Sequence, residues 1–221
     1  MALHNERVTS SIPPARRTQA ERRQTTRRAL LDATISALVE LGYSGTTTTE
    51  VTRRAGLSQG ALFKHFPSRS ALVAAAAEQL FEDLFVSFEF AFERSTDPEP
   101  RVVIALRRLW DVFCQKELLA VYRLYLEAPV DDELMAALVP VVKRHQANLA
   151  GFALTLFPGL ASSPMHASLF VTAVYAMQGL SLQRTVHADE TEQSLMLAQF
   201  ETMARTLFPE TETREGDRTD A

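Results

Sequence analysis

Cysteine is nearly absent: Cys114 is the only one in 221 residues. A single thiol forms no internal disulfide and builds no multi-thiolate zinc site, which points to a reducing, cytoplasmic compartment. Glycine is scarce as well, at eight residues, and β-branched runs are few, which argues against an all-β fold. No stretch approaches the ~18 uninterrupted apolar residues of a membrane span. Residues 1–11 hold no apolar run, so no secretory signal peptide is expected there.

What is present is the composition of an ordinary folded chain of one to two domains, 46% hydrophobic and 23% charged, enough to bury a core. The net charge of −4 hides an asymmetry. Residues 1–70 carry eleven Arg and Lys against five Asp and Glu, whereas residues 71–221 carry twelve against twenty-two. Either the basic end meets a polyanion, or both ends are simply solvated surfaces.

Residues 1–17 contain Ser-Ser-Ile-Pro-Pro without helical periodicity and read as a disordered arm; the polar tail 209–221 reads likewise. Between them the pattern is helical throughout. Thr18-Gln19-Ala20-Glu21 matches a capping box, and Leu31, Ile35 and Leu38 mark one apolar stripe that should stop at Gly42. Thr47-Thr48-Thr49-Glu50 is a second capping box, opening a short helix that ends at Gly56. Ser58 opens a third helix, to roughly Phe66 before Pro67, and Ser68 caps a long fourth one over 69–94. Further segments follow at 101–115, 117–128, 132–156, 164–186 and 190–207, and Pro140 should kink or divide the third of these. The expected fold is all-α. An N-terminal three-helix unit over 18–70 contains a helix-turn-helix, and a larger helical body spans 71–208.

Two short helices joined by a tight turn at Gly56-Leu57 form a helix-turn-helix pattern, whose second helix enters the major groove of DNA. Val51, Ala55, Leu57 and Leu62 are its expected internal packing. Gln59, Gly60, Ala61, Phe63, Lys64 and His65 are expected on the outward face, with Thr47, Thr48, Thr49 and Ser58 at the helix starts, where free N–H groups can hold phosphate. An ordinary helical hairpin inside a core is the alternative.

The stretch Gly42-Tyr43, Thr46-Thr47, Val51, Ala55-Gly56-Leu57-Ser58, Gly60 through Arg69, and Leu72 resembles the TetR family of bacterial transcriptional regulators. The resemblance covers about residues 28–75. It implies a homodimer on a palindromic operator, released by a small molecule. It also implies that the helix from Ser58 is the recognition helix, and Arg27 and Arg69 join the DNA-contacting set. Phe63 stands where the family commonly has Tyr, so a hydroxyl-to-phosphate bond is lost; Ala61 replaces a common Thr and Thr52 a common Ala.

Gly56-Leu57-Ser58-Gln59-Gly60 also satisfies the G-x-S-x-G nucleophile elbow, but that motif needs an apolar strand before it. Thr52-Arg53-Arg54-Ala55 is a polar amphipathic helix instead, and Ser58 is explained as an N-cap. Arg16, Arg17, Arg22, Arg23, Arg27 and Arg28 form three pairs. Arg23 and Arg27 repel at i, i+4 unless a polyanion is near. They read as phosphate contacts, or as a solvated face.

The body offers no catalytic constellation. His145, His166 and His187 lie apart, without ligand-spaced companions, and read as surface or satisfied histidines. No enzyme activity, metal or cofactor is expected. Phe85, Trp110, Phe113, Tyr122, Tyr125 and Phe152 are core packing by default. The resemblance offers a second reading, walls of an apolar ligand pocket with Gln178, Arg107, Arg123 or Gln146 as polar anchor. It also implies dimerisation through the helices at 164–186 and 190–207, with Ala173, Ala176 and Gly179 permitting close approach. The resulting reading is a ligand-responsive regulator, repressor in type, with double-stranded DNA, a small apolar or aromatic effector and a second copy of itself as partners. A DNA-associated protein without ligand response is the alternative.

Overall fold

The computed structural model describes residues 18–207, so the arm 1–17 and the tail 209–221 lie outside it. The described residues form α1 (Gln19–Gly45), α2 (Thr48–Ala55), α3 (Gln59–Phe63), α4 (Arg69–Glu93), α5 (Arg101–Phe113), α6 (Lys116–Glu127), α7 (Asp132–Leu156), α8 (Pro164–Gln183) and α9 (Glu190–Leu207). Two short 3-10 turns flank α7, and there is no strand among these residues.

Local sequence explains where the helices begin. The Thr18 box closes both ways: the Glu21 N–H donates to Thr18 Oγ1 at 3.2 Å and the Thr18 N–H to Glu21 Oε2 at 2.8 Å. Ser58, Ser68 and Asp131 accept from the N–H groups of Ala61, Ala71 and Leu134 and so start α3, α4 and α7. The second box closes only one way. Thr47 Oγ1 accepts from the Glu50 N–H, but the Glu50 carboxylate is taken by Arg53 and Arg54. At the other end of α2, Gly56 sits at φ 66°, a left-handed conformation that glycine adopts without a Cβ penalty.

Of the two expected interruptions, the one at Gly42 is present as a kink and the one at Pro140 does not divide its helix. Gly42 has φ 68° and kinks α1, yet a further helical turn runs to Gly45. That turn is held by Thr46 Oγ1 donating to the Gly42 carbonyl and the Thr46 N–H donating to that of Tyr43. Pro140 lies inside α7 without dividing it. Pro140 and Ala136, whose carbonyl loses its helical donor, are both exposed, so water can satisfy that carbonyl.

The helices enclose two main cores. The first gathers Leu30 and Leu31 of α1, Val51, Leu62, Phe66, and Leu72 and Ala76 of α4. The second joins Leu38 of α1 and Val73, Ala77, Leu80 and Leu84 of α4 to Phe113, Val121, Tyr122, Leu134, Leu138 and Met177. Both α1 and α4 therefore contribute to each core.

A polar cluster fastens the junction. The Arg69 guanidinium lies 3.8 Å from the centre of the Tyr43 ring and donates to the carbonyls of Thr46, at 2.8 Å, and of Tyr43. The Tyr43 hydroxyl donates to Asp131 Oδ2 at 2.6 Å, and Asp131 Oδ1 caps α7. Burial and then this bond raise the Tyr43 pKa.

Tyr43→Phe keeps the ring and deletes the bond, so it should lower unfolding free energy by about 1 kcal/mol. Leu62→Ala, at a side chain with no exposure, should cost about 3 kcal/mol. Urea denaturation of both variants checks the ledger, and a Tyr43→Phe midpoint equal to wild type would mean that the junction bond contributes nothing.

Candidate nucleic-acid interface

The arginines of the N-terminal unit divide by their partners. Arg28 pairs with Asp32 at 2.9 Å and Asp83 at 2.6 Å, reaching from α1 to α4. Arg53 and Arg54 share Glu50, each at 2.7 Å, and Arg54 also reaches Glu40. Their hydrogen bonds hold the Glu50 carboxyl at about 2, far below the ordinary carboxylate range. Arg69 is spent on the junction just described.

Arg22, Arg23, Arg27 and Lys64 are exposed and form no ion pair among the described residues. Arg27 lies with its guanidinium 5.5 Å from the centre of the Phe66 ring. Beside it, burial first and then Arg23 and Arg27 push the His65 imidazole below its ordinary pKa. A free cationic stripe of α1 thus borders the end of α3, where a phosphate backbone would relieve its self-repulsion.

The expected outward face of α3 divides in the same way. Gly60, Phe63 and Lys64 are exposed, as are Thr47, Thr49 and Ser58 at the helix starts; Thr48, Ala61 and His65 are half-buried. Phe63 is 51% exposed, a large ring half open to solvent. Gln59 departs from expectation. Its amide turns back onto α2 and donates to Thr49 Oγ1 at 3.1 Å and Thr52 Oγ1 at 3.4 Å, because two hydroxyls stand within reach. Gln59 Oε1 is left buried without a partner. Ser58 is an N-cap between two helices, and no strand precedes it, so the nucleophile elbow is not formed.

The proposed ligand residues of the body do not share one cavity. Tyr122, Tyr125 and Gln178 line a cavity of about 470 Å³ between α6, α7 and α8. Phe85 and Phe152 line another of about 500 Å³ between α4 and α7, beside the Arg144–Glu78 ion pair. Trp110 borders a third, polar one with Arg107, Arg108 and Asp111. Phe113 is core, its ring 6.0 Å from that of Tyr122. Phe152 also reaches a small cavity of about 100 Å³ whose walls are wholly apolar, among them Phe88, Leu109, Phe170 and Phe200. Arg107 lines only the cavity beside Trp110, where it is tied to Glu201 at 2.8 Å, and Arg123 is exposed and lines none of these cavities.

His145 went unrecognised as a cavity residue. It lies on α7 where the 500 Å³ and 470 Å³ cavities meet, stacked on Phe81 with ring centres 3.8 Å apart. Burial pushes its pKa down to about 4. The readable signal was His145, Leu149 and Phe152 at i, i+4 and i+7, one face of α7. Among the described residues no cluster of three or more His, Cys, Asp or Glu could hold a metal ion, and no helix is long and apolar enough to cross a membrane.

Comparison with known proteins bears on this geometry. A family described as bacterial regulatory proteins, tetR family, matches residues 30–82. The chain is 32% identical over 148 residues to the uncharacterized HTH-type transcriptional regulator Rv2912c of Mycobacterium tuberculosis (strain ATCC 25618 / H37Rv), covering 67% of this chain and 75% of that one. It is 42% identical over 73 residues to the HTH-type transcriptional regulator CymR of Pseudomonas putida, covering 33% and 36% respectively. In fold it is similar to a transcriptional regulator from Rhodococcus sp. Rha1, with a TM-score of 0.64 at 19% identity over 81% of this chain and 96% of that chain.

Two outcomes are expected. Arg27→Ala and Lys64→Ala should each weaken binding to any duplex and flatten the dependence of log affinity on log salt by about 1 per lost phosphate contact. Arg28→Ala, next in sequence but held by two carboxylates, should leave that slope alone; equal effects of Arg27→Ala and Arg28→Ala in anisotropy titrations would refute the division. The second concerns His145, whose folded-state pKa lies below the ordinary 6.5. The unfolded chain binds the proton more readily, so this contribution to stability is complete above about pH 6.5 and disappears as pH falls through about 4. Relative to a His145→Gln variant, wild type should lose on the order of 2 kcal/mol over that interval, read from urea melts at each pH.

Proposed function

The chain belongs to the TetR family of bacterial regulatory proteins, and on that premise we propose that it is a ligand-responsive repressor. As a homodimer it binds a palindromic operator through residues 18–70 and releases it when a small apolar or aromatic molecule occupies the body at 71–208. The observation that carries this reading is the free cationic face of Arg22, Arg23, Arg27 and Lys64 beside α3, set against a body that holds uncharged cavities. The outward sites are Thr47, Thr49, Ser58, Gly60, Phe63, Lys64 and Arg27.

Two half-sites require recognition helices ~34–36 Å apart. A ligand that favours another spacing weakens operator binding by its differential affinity for the two states. The coupling runs through α4, which contributes to both cores, and through Tyr43 and Asp131, which tie α1 to the start of α7. Dimerisation is assigned to α8 and α9. Met165, Val171, Tyr175 and Leu195 are 63%, 44%, 55% and 60% exposed, an apolar surface of the kind that a two-fold interface buries. Gly179 is exposed there, whereas Ala173 faces the small apolar cavity.

Val171→Arg places a charge on this face and should convert dimers to monomers in sedimentation at micromolar concentration. Its affinity for a palindromic operator selected from random duplexes should fall at least tenfold, while a single half-site is bound as by wild type. A Val171→Arg protein that sediments as wild type would move the interface elsewhere.

A further inference from the structure

The cavity between α6, α7 and α8 differs from its neighbours in the character of its walls. Its lining holds no Asp, Glu, Lys or Arg, but it holds Tyr122, Tyr125, His145, Gln146, Tyr175 and Gln178 among aliphatic side chains. Gln146 Nε2 donates to the Tyr175 hydroxyl at 3.4 Å. The other four are different. No hydrogen bond joins the side chains of Tyr122, Tyr125, His145 or Gln178 to another described residue. Tyr122 is only 5% exposed, its ring packed 6.0 Å from Phe113 and 5.5 Å from Tyr125.

Water in the cavity can serve a phenol donor, but a ligand that displaces that water must bring an acceptor or leave the donor unpaired. Here four side chains without a hydrogen-bond partner in the described chain converge on one void of about 470 Å³. We propose that this cavity binds an uncharged, mainly apolar molecule bearing a hydrogen-bond-accepting oxygen, such as the carbonyl of a ketone, ester or lactone, set against the Tyr122 hydroxyl. A carboxylate of the same shape is excluded. It would leave water for walls that carry no cation, and an unpaired buried charge is far costlier than an unpaired dipole. A plain hydrocarbon fits the apolar walls but leaves the phenol unpaired.

The protonation states agree with this selectivity. Burial keeps the His145 imidazole neutral at neutral pH, its pKa pushed down to about 4, so it offers no charge to an anion. Burial likewise raises the ionisation of Tyr125 to about 12 and that of Tyr122 further, so both phenols stay protonated donors. The inference rests on reading the body as the effector-binding unit, and binding and operator release are therefore measured separately.

Calorimetric titration of the full-length protein with acetylnaphthalene, isopropylnaphthalene and naphthoate, three ligands of nearly one shape, tests it. Acetylnaphthalene should bind, and naphthoate should bind at least a hundredfold more weakly. Tyr122→Phe should weaken acetylnaphthalene about tenfold, the loss of one hydrogen bond, and leave isopropylnaphthalene bound no more weakly than by wild type. Val174→Trp, which fills the cavity from α8, should abolish binding of both and supplies the test if Tyr122→Phe fails to fold. Naphthoate binding as tightly as acetylnaphthalene overturns the proposal, as does the absence of binding by all three or an equal effect of Tyr122→Phe on each. Acetylnaphthalene that binds as described but leaves operator affinity unchanged upholds the site's chemistry and overturns the ligand response.

Discussion

Arg69 ties α4 directly to the end of α1 and, through Tyr43, to the start of α7. As the first residue of α4 it covers the Tyr43 ring and donates to the carbonyls of Tyr43 and Thr46. Tyr43, held flat beneath the guanidinium, can then aim its hydroxyl at the residue that caps α7. Were the cation absent, the Thr46 carbonyl would lose this donor and the Tyr43 ring the group that covers it. Arg suits this position because its planar fork serves two carbonyls while its face stacks on a ring, which Lys cannot do together. Arg69 was expected among the DNA contacts; in the structure its guanidinium is engaged at this junction.

Carboxylates decide which cations of the N-terminal unit remain available. Asp32 and Asp83 take Arg28, and Glu50 and Glu40 take Arg53 and Arg54. What is left over is a short stripe on α1 and Lys64 past the end of α3. The net positive charge of residues 1–70 was legible by counting, but its distribution was not. Arg27 and Arg28 are adjacent, of one type and equally basic, and only the approach of α4 separates a surface cation from an interhelical tie.

What could be read from the chain follows the range of the interactions. Caps at Thr18, Thr47, Ser58 and Ser68 and the left-handed Gly56 depend on residues within three or four positions, so these helix starts were visible in the sequence. Gly42 was read as an end, and its positive φ does interrupt the helix; the further turn to Gly45 depends on Thr46 and, from α4, on Arg69. Gln59 was read as outward because α3's own periodicity said so, whereas the hydroxyls of Thr49 and Thr52 on the neighbouring helix turn it back. The proposed pocket residues suffered most. Phe85, Trp110, Tyr122 and Phe152 are aromatic at helical spacing, and periodicity identifies a buried face without saying which void it meets.

The three cavities around α7 meet along the single face of His145, Leu149 and Phe152, yet their chemistry differs because the facing helices differ. Toward α6 and α8 the partners are Tyr122, Tyr125 and Gln178; toward α4 they are Glu78 and Phe81; toward α5 and α9 they are wholly apolar. One helix face therefore bears on three environments, and a molecule filling any of them presses on the element that Asp131 starts and Tyr43 ties to α1. Such contact becomes regulation only if the occupant binds one arrangement of α7 better than another. Of the three, the α6–α8 side has the means to do so. Once water is displaced, its polar side chains are paired only by a ligand at a defined position, whereas an apolar wall rewards contact with little regard to where along it the contact is made.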